Sequence, residues 1–272
     1  MARKATKSTA TKSVTVAPSS KSLALVDQEL AAEVQALATQ IGQPSGNKVK
    51  VMPNGDFILP DGLNVGNEIQ IIVVAFASRN TFYATPYNEK NITPPDCYAM
   101  GRDIATMKPE NDAPMKQNDT CAGCPQNAFG SSSNGQGKAC RNSREVAFLY
   151  VDPNNPEAHN EPSAPVYLIS VAPTSLIAFD GMTRHVARMV GPPIKAIVTM
   201  RGDNANATGN ATFAKLSFVA PVLNPDYAQH VARRAEAEPL LFRRPDFTQQ
   251  RAAPVRGRKP AAPAGRTAAP RR

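Results

Sequence analysis

The placement of four cysteines constrains this chain more than any other feature. Cys97 stands by itself, while Cys121, Cys124 and Cys140 fall within the run CAGCPQNAFGSSSNGQGKAC. Twenty-three residues separate Cys97 from Cys121, two separate Cys121 from Cys124, and fifteen separate Cys124 from Cys140. A Cys-x-x-Cys pair fixes two thiolates on one tight turn, and a thiolate from each side can close a tetrahedron around Zn2+. Four bound sulfurs leave no position for water or substrate, so such a metal is structural rather than catalytic. Ser131, Ser132, Ser133 and Asn134 cannot build an apolar core, so something other than hydrophobic burial must hold this segment. Disulfides, buried free thiols and an iron–sulfur cluster are the competing readings. No signal peptide is visible, which points to a reducing compartment and disfavours disulfides.

Charge is distributed unevenly. The chain of 272 residues has 31 basic and 22 acidic residues, a net charge of +9. Residues 1–22 contain Arg3, Lys4, Lys7, Lys12 and Lys21 and no acid; residues 251–272 contain Arg251, Arg256, Arg258, Lys259, Arg266, Arg271 and Arg272 and no acid. The remainder has 19 basic residues against 22 acids, so all the excess positive charge lies in the two tails. Basic arms of this kind attract polyanions without reading sequence, or serve only as solvated ends. No apolar run reaches membrane-spanning length.

Five segments follow in chain order. Residues 1–21 form a small, polar, basic arm expected to be disordered. In residues 22–47 an amphipathic helix over 22–41, with Leu30, Val34, Leu37 and Ile41 on one stripe, precedes a short linker. Its apolar stripe suits packing on the main domain or self-association. Residues 48–225 carry the strands: 48–52 and 56–59 around the turn Pro53-Asn54-Gly55, then 68–85 with a hairpin tip expected at Ser78-Arg79-Asn80. Ile69, Ile71 and Val73 are expected on one face and Ile72, Val74 and Phe76 on the other, which makes the first arm central. Residues 86–143 read as a loop insertion. Strands resume at 146–151 and 165–171, followed by a helix with Leu176, Phe179, Met182, Val186 and Met189 as core stripe, and strands at 194–200 and 212–219. A helix within 226–246 and a disordered Pro/Ala/Arg-rich tail over 247–272 complete the chain. The fold class is mainly β with flanking helices (α+β). An OB-like small β-barrel accommodates this order, and an open α+β sheet is the rival.

The combination PPDCYAM, CAGCPQNAFGSSSNGQGKACRN and the immediate strand REVAFLYV resembles the zinc-knuckle region of single-stranded-DNA-binding-like proteins of tailed bacteriophages. PTSLIAFDGMTRHVARMVG followed by IKAIVTM is similar to the helix-then-strand half of the same group. The resemblance spans roughly residues 48–225, with the knuckle as its most specific part. It implies an OB-like barrel, a zinc-stabilised insertion with Cys97, Cys121, Cys124 and Cys140 as ligands, and a role in phage DNA replication or recombination. The expected location is the cytoplasm of the infected host, with single-stranded DNA and phage replication or recombination proteins as partners and self-association along DNA. Where many single-strand binders end in an acidic recruiting tail, this chain ends in PVRGRKPAAPAGRTAAPRR, which suits the strand itself or an acidic partner.

Binding a single strand without sequence preference requires cations along the phosphates and flat rings for the bases. Lys138, Arg141 and Arg144 stand beside the last cysteine and Phe129 lies inside the knuckle; Arg79, Phe82, Tyr83 and Tyr87 are the further candidates. Enzyme motifs are absent: there is no GxxxxGK[ST], HExxH or GxSxG, and His159, His185 and His230 are scattered. A non-enzymatic binder is therefore expected. The alternatives are a zinc-containing docking protein and a metal-dependent nuclease built on acids such as Asp96 and Asp103.

Overall fold

The computed structural model describes residues 46–86, 93–206, 212–245 and 247. The N-terminal arm, the amphipathic helix expected over 22–41, Tyr87 and the basic C-terminal tail lie outside the described residues. Contacts separate residues 1–46 from residues 47–272, and the fold below belongs to the second unit.

A short hairpin opens it: β1 (Lys50–Val51) and β2 (Phe57–Ile58) pair antiparallel around the expected turn. Asn54 closes that turn by accepting from the Asp56 amide, 3.1 Å, and Gly55 adopts a left-handed φ of 101°. The turn backbone then lies directly on that of Gly202, where a Cβ would fall 2.0 Å from the Gly55 carbonyl oxygen. Only glycine permits this contact, which seats the hairpin on the main sheet.

Among the described residues that sheet has six antiparallel strands. β3 (Glu68–Phe82), β4 (Cys97–Gly101), β5 (Arg141–Val151), β6 (Tyr167–Val171), β7 (Ala196–Asn206) and β8 (Thr212–Leu223) are arranged in the order β6-β5-β3-β7-β8, with β4 also on β3. β3 pairs with β5 along one edge from Gln70 to Thr81. On its other edge it pairs with β7 from Glu68 to Ile72 and with β4 from Ser78 to Phe82. The hairpin tip expected at Ser78-Arg79-Asn80 is therefore absent, and the strand runs straight through it. β-branched residues along Ile69–Val74 and continuous pairing to β5 sustain the extended backbone. The insertion expected over 86–143 is interrupted by β4. The pairings of the described strands leave β6 and β8 unjoined, so the sheet is open.

A bulge between Val73 and Ala75 shifts the register by one residue. Ile69, Ile71 and Val73 face one core layer and Ile72 and Val74 the other, as expected, but Phe76 returns to the first layer. There its ring meets Phe179 edge-on at 5.3 Å. One extra residue reverses every later side chain, which overturns the alternation expected for Phe76.

The first layer lies beneath the hairpin, through Val49, Phe57 and Leu59, and beneath α1 (Leu176–Met189), through Phe179, Met182 and Val186. Each large side chain buried here contributes about 1.5–3 kcal/mol. Met189, expected in the stripe, is exposed at the helix end, just before Gly191 with φ 101° terminates the helix region. The second layer is covered by α3 (Arg234–Leu241), through Ala237 and Leu241, and α3 follows α2 (Tyr227–His230). No helix among the described residues is long and apolar enough to cross a membrane.

A buried polar network fastens α2. His230 Nε2 donates to Asn160 Oδ1 at 2.9 Å, and its Nδ1 accepts from Asn224 Nδ2 at 3.1 Å. The Asn224 amide is fixed because Nδ2 also donates to the Ile194 carbonyl, 2.8 Å, while Oδ1 accepts from the Asp226 amide. His230 is thereby held neutral: a proton on Nδ1 would face a donor. Burial, and next the adjacent His159 ring at 5.3 Å, lower its pKa below the ordinary value. The unfolded chain takes up this proton near pH 6.5 and the folded chain resists it, so stability is full above about pH 7 and falls as pH drops below about 6.5. Thermal denaturation across pH 8 to 5 should show Tm declining below about pH 6.5, less so for His230→Gln; identical profiles for the two proteins would contradict this account.

Candidate metal centre and adjoining cleft

Strand register brings the cysteines together. Cys97 opens β4 opposite Phe82, and Arg141 opens β5 opposite Thr81, so Cys140 precedes β5 at the level of Phe82 on the other side. Two residues 43 positions apart in sequence thus flank one aromatic residue of β3. Cys121 and Cys124 arrive on the knuckle. The Cys121 amide donates to the Met107 carbonyl at 3.0 Å, and Asn127 Nδ2 donates to the Cys121 carbonyl at 2.8 Å. Pro125 starts a 3-10 turn, Pro125–Asn127, and the Cys140 amide donates to the Gln126 carbonyl at 2.7 Å, joining knuckle to strand. Ser131 Oγ, donating to the Gln126 carbonyl and accepting from the Ala139 amide, ties the two stems of the serine-rich loop. The apolar support is small: Ala99, Met107 and Cys121 form its buried cluster.

All four thiols are free and line one cavity of about 20 Å3, with Asn80, Phe82 and Gln126 among its other walls. That is room for a single small atom or ion, since a water needs about 10–15 Å3. Cys97, Cys121 and Cys140 are buried and Cys124 partly so. Burial pushes the Cys97 and Cys121 thiols above their ordinary range and Cys140 up to about 12, and each of the four lies within electrostatic reach of the other three. Four thiolates cannot share this space without a cation to neutralise them. Among the described residues no group of three or more His, Cys, Asp or Glu is arranged as a ready metal site. As a donor set of four sulfurs around a one-atom cavity, they could hold a borderline-soft divalent ion such as Zn2+.

A second cavity, a cleft of about 870 Å3, lies against this junction and shares Cys140 with it. Phe129 and Lys138 of the insertion, Arg141 of β5, Val51 and Pro53 of the hairpin, and Ile177 of α1 line it. Among the described residues its only charged lining residues are Lys138 and Arg141, both exposed, and neither forms an ion pair there. Lys138 Nζ donates to Asn127 Oδ1 at 3.2 Å, which steadies it over the knuckle. Phe129 is 81% exposed and Ile177 85%.

Of the residues expected from sequence to bind nucleic acid, Phe129, Lys138 and Arg141 meet in this cleft. Arg144 does not: it is 8% exposed and pairs with Asp180 at 3.3 Å, fastening β5 to α1. Arg79 lies inside β3, donates to the Arg243 carbonyl at 2.5 Å and approaches buried Glu145 at 4.0 Å, so it braces the C-terminal segment instead of reaching solvent from a tip. Phe82 lines the thiol cavity, while Tyr83, 45% exposed, stands beyond the end of β3 and is not among the cleft residues. Asp103 caps its own turn through the Ala105 amide and the Thr106 hydroxyl, both 2.9 Å, and Asp96 accepts from the Ala84 amide at 2.7 Å. Sequence reading overlooked Ile177. Its signal was an apolar residue off the Phe179–Met182–Val186 stripe.

Thiol burial makes a direct prediction for the metal-free protein. At pH 8, alkylation should modify partly exposed Cys124 first and Cys140 last, because a thiol with a pKa of about 12 is almost wholly protonated there. Uniform labelling of the four under native conditions would contradict the junction. Compared with known proteins, the chain matches no family model, no curated protein and no solved structure.

Proposed function

We propose that the chain is a non-enzymatic, OB-like, zinc-containing protein that coats single-stranded DNA in the cytoplasm of a phage-infected bacterium during replication or recombination. The observation that carries this reading is the cleft beside the thiol junction, whose charged walls among the described residues are all basic and whose aromatic, the exposed Phe129, sits on the loop that the cysteines frame. Single-strand binding without sequence preference uses this combination of accessible cations and an accessible ring. Zn2+ would be held by Cys97, Cys121, Cys124 and Cys140 and would supply charge neutralisation and a rigid frame, with no open coordination position. Lys138 and Arg141 then meet phosphates and Phe129 meets a base. The twelve basic residues of the tails add attraction that is blind to sequence. The described strands pair as an open sheet, and the OB-like assignment draws support from β3, a long strand with a bulge between Val73 and Ala75, since bulges bend strands at the rims of barrels.

Binding of an oligothymidylate across a salt series tests the proposal. Affinity should fall steeply with salt, and single strands should be preferred to duplex of equal length. Lys138→Ala with Arg141→Ala should flatten the log–log salt slope by about 1.4, about 0.7 for each phosphate no longer neutralised. Equal affinity for duplex, or a slope unchanged in the double variant, would contradict it. Shortening of the probe when Mg2+ is added would point to a nuclease instead.

A further inference from the structure

We infer that Ile177 and Phe129 form the two apolar walls of a slot in the cleft that takes an unpaired nucleobase, with Lys138 and Arg141 holding the phosphates beside it. This rests on the single-strand reading above and adds to it the residue from α1 and the requirement for an exposed base face.

Either side chain by itself would be unremarked, since scattered apolar residues are ordinary on a protein surface. Their joint position is what carries meaning. Phe129 comes from the serine- and glycine-rich loop between Cys124 and Cys140, and Ile177 from the first turn of α1. Both line the same cleft and both leave more than four-fifths of their surface in solvent. Neither supports a core: Ile177 belongs to neither large hydrophobic cluster, whereas its neighbours Leu176 and Phe179 pack into the first. The basic residues select an anion, and among the described residues no acidic side chain lines the cleft to repel one. A cleft of about 870 Å3 falls within the range of about 300–1,000 Å3 that encloses small ligands, so it admits a nucleotide or two. Of anionic ligands, a nucleotide strand alone offers flat apolar faces between regularly spaced phosphates. A base in a duplex has both faces covered by its neighbours, so the slot excludes paired bases. Apolar walls recognise a π-face and not an edge, which makes the slot tolerant of sequence.

The chain contains no tryptophan, which supplies a clean reporter. Phe129→Trp introduces the only indole, at the wall itself. Titration of this full-length variant with an oligothymidylate should change its emission, while an abasic oligonucleotide of equal length and charge should bind more weakly and leave the emission nearly unchanged. Ile177→Asp in the same background should weaken oligothymidylate binding at least about fivefold, as expected when a base is deprived of one of its two walls. Its Tm should match the parent, because the side chain is exposed. Tight single-strand binding with an unresponsive indole, or with no effect of Ile177→Asp, overturns the slot and leaves the single-strand reading standing. No binding of any single strand by the wild-type chain overturns both.

Discussion

Cross-strand pairing along the second half of β3 is the constraint from which the candidate site follows. Its first five residues share an edge with β7; past the bulge at Val73 that edge passes to β4, while β5 accompanies the strand on the other side. The exchange of partners allows Cys97, at the start of β4, and Cys140, just before β5, to arrive at the same level on either side of Phe82. Hydrogen-bonded register is unforgiving: a slip of one residue would turn Cys97 to the opposite face and separate it from the knuckle.

From that junction the cleft inherits its shape. The loop carrying Phe129 and Lys138 is too polar to fold against itself, and it is held where its stems meet Gln126, Ser131 and Cys140. The facing wall is set independently. The Gly55–Gly202 contact seats the hairpin, Arg144–Asp180 fastens α1 to β5, and α1 then offers Ile177 to the opening. Two separately anchored walls, with two basic residues in the lining, make a candidate site from surface parts that would be ordinary in isolation.

Much of this was legible in the chain itself. The mainly β character, the turn at Pro53-Asn54-Gly55, the helix over residues 176–189 and the Cys121–Cys124 knuckle follow from local patterns, because period and turn chemistry are short-range properties. The meeting of Phe129, Lys138 and Arg141 in one cleft was also readable, since they lie within about a dozen residues of one another, in the cysteine loop and at the start of β5. The features that were missed depend on pairing between distant segments. A bulge leaves no mark in an apolar run, so Phe76 was assigned to the wrong layer; Ser78-Arg79-Asn80 has turn composition yet is held extended by β5 and β4; Arg144 reads as a surface cation until Asp180, 36 residues on, is brought beside it. Cys97–Gly101 is too short to announce a strand and becomes one only on the edge that β7 vacates.

At the centre stands the claim that four sulfurs from three chain segments surround one metal ion and so hold the insertion wall of the cleft. X-ray absorption at the zinc edge of the full-length protein, purified under reducing conditions, tests it most directly. The account predicts a single shell of four sulfur scatterers at about 2.3 Å. A shell containing nitrogen or oxygen, fewer than four sulfurs, or protein that carries no zinc would contradict it.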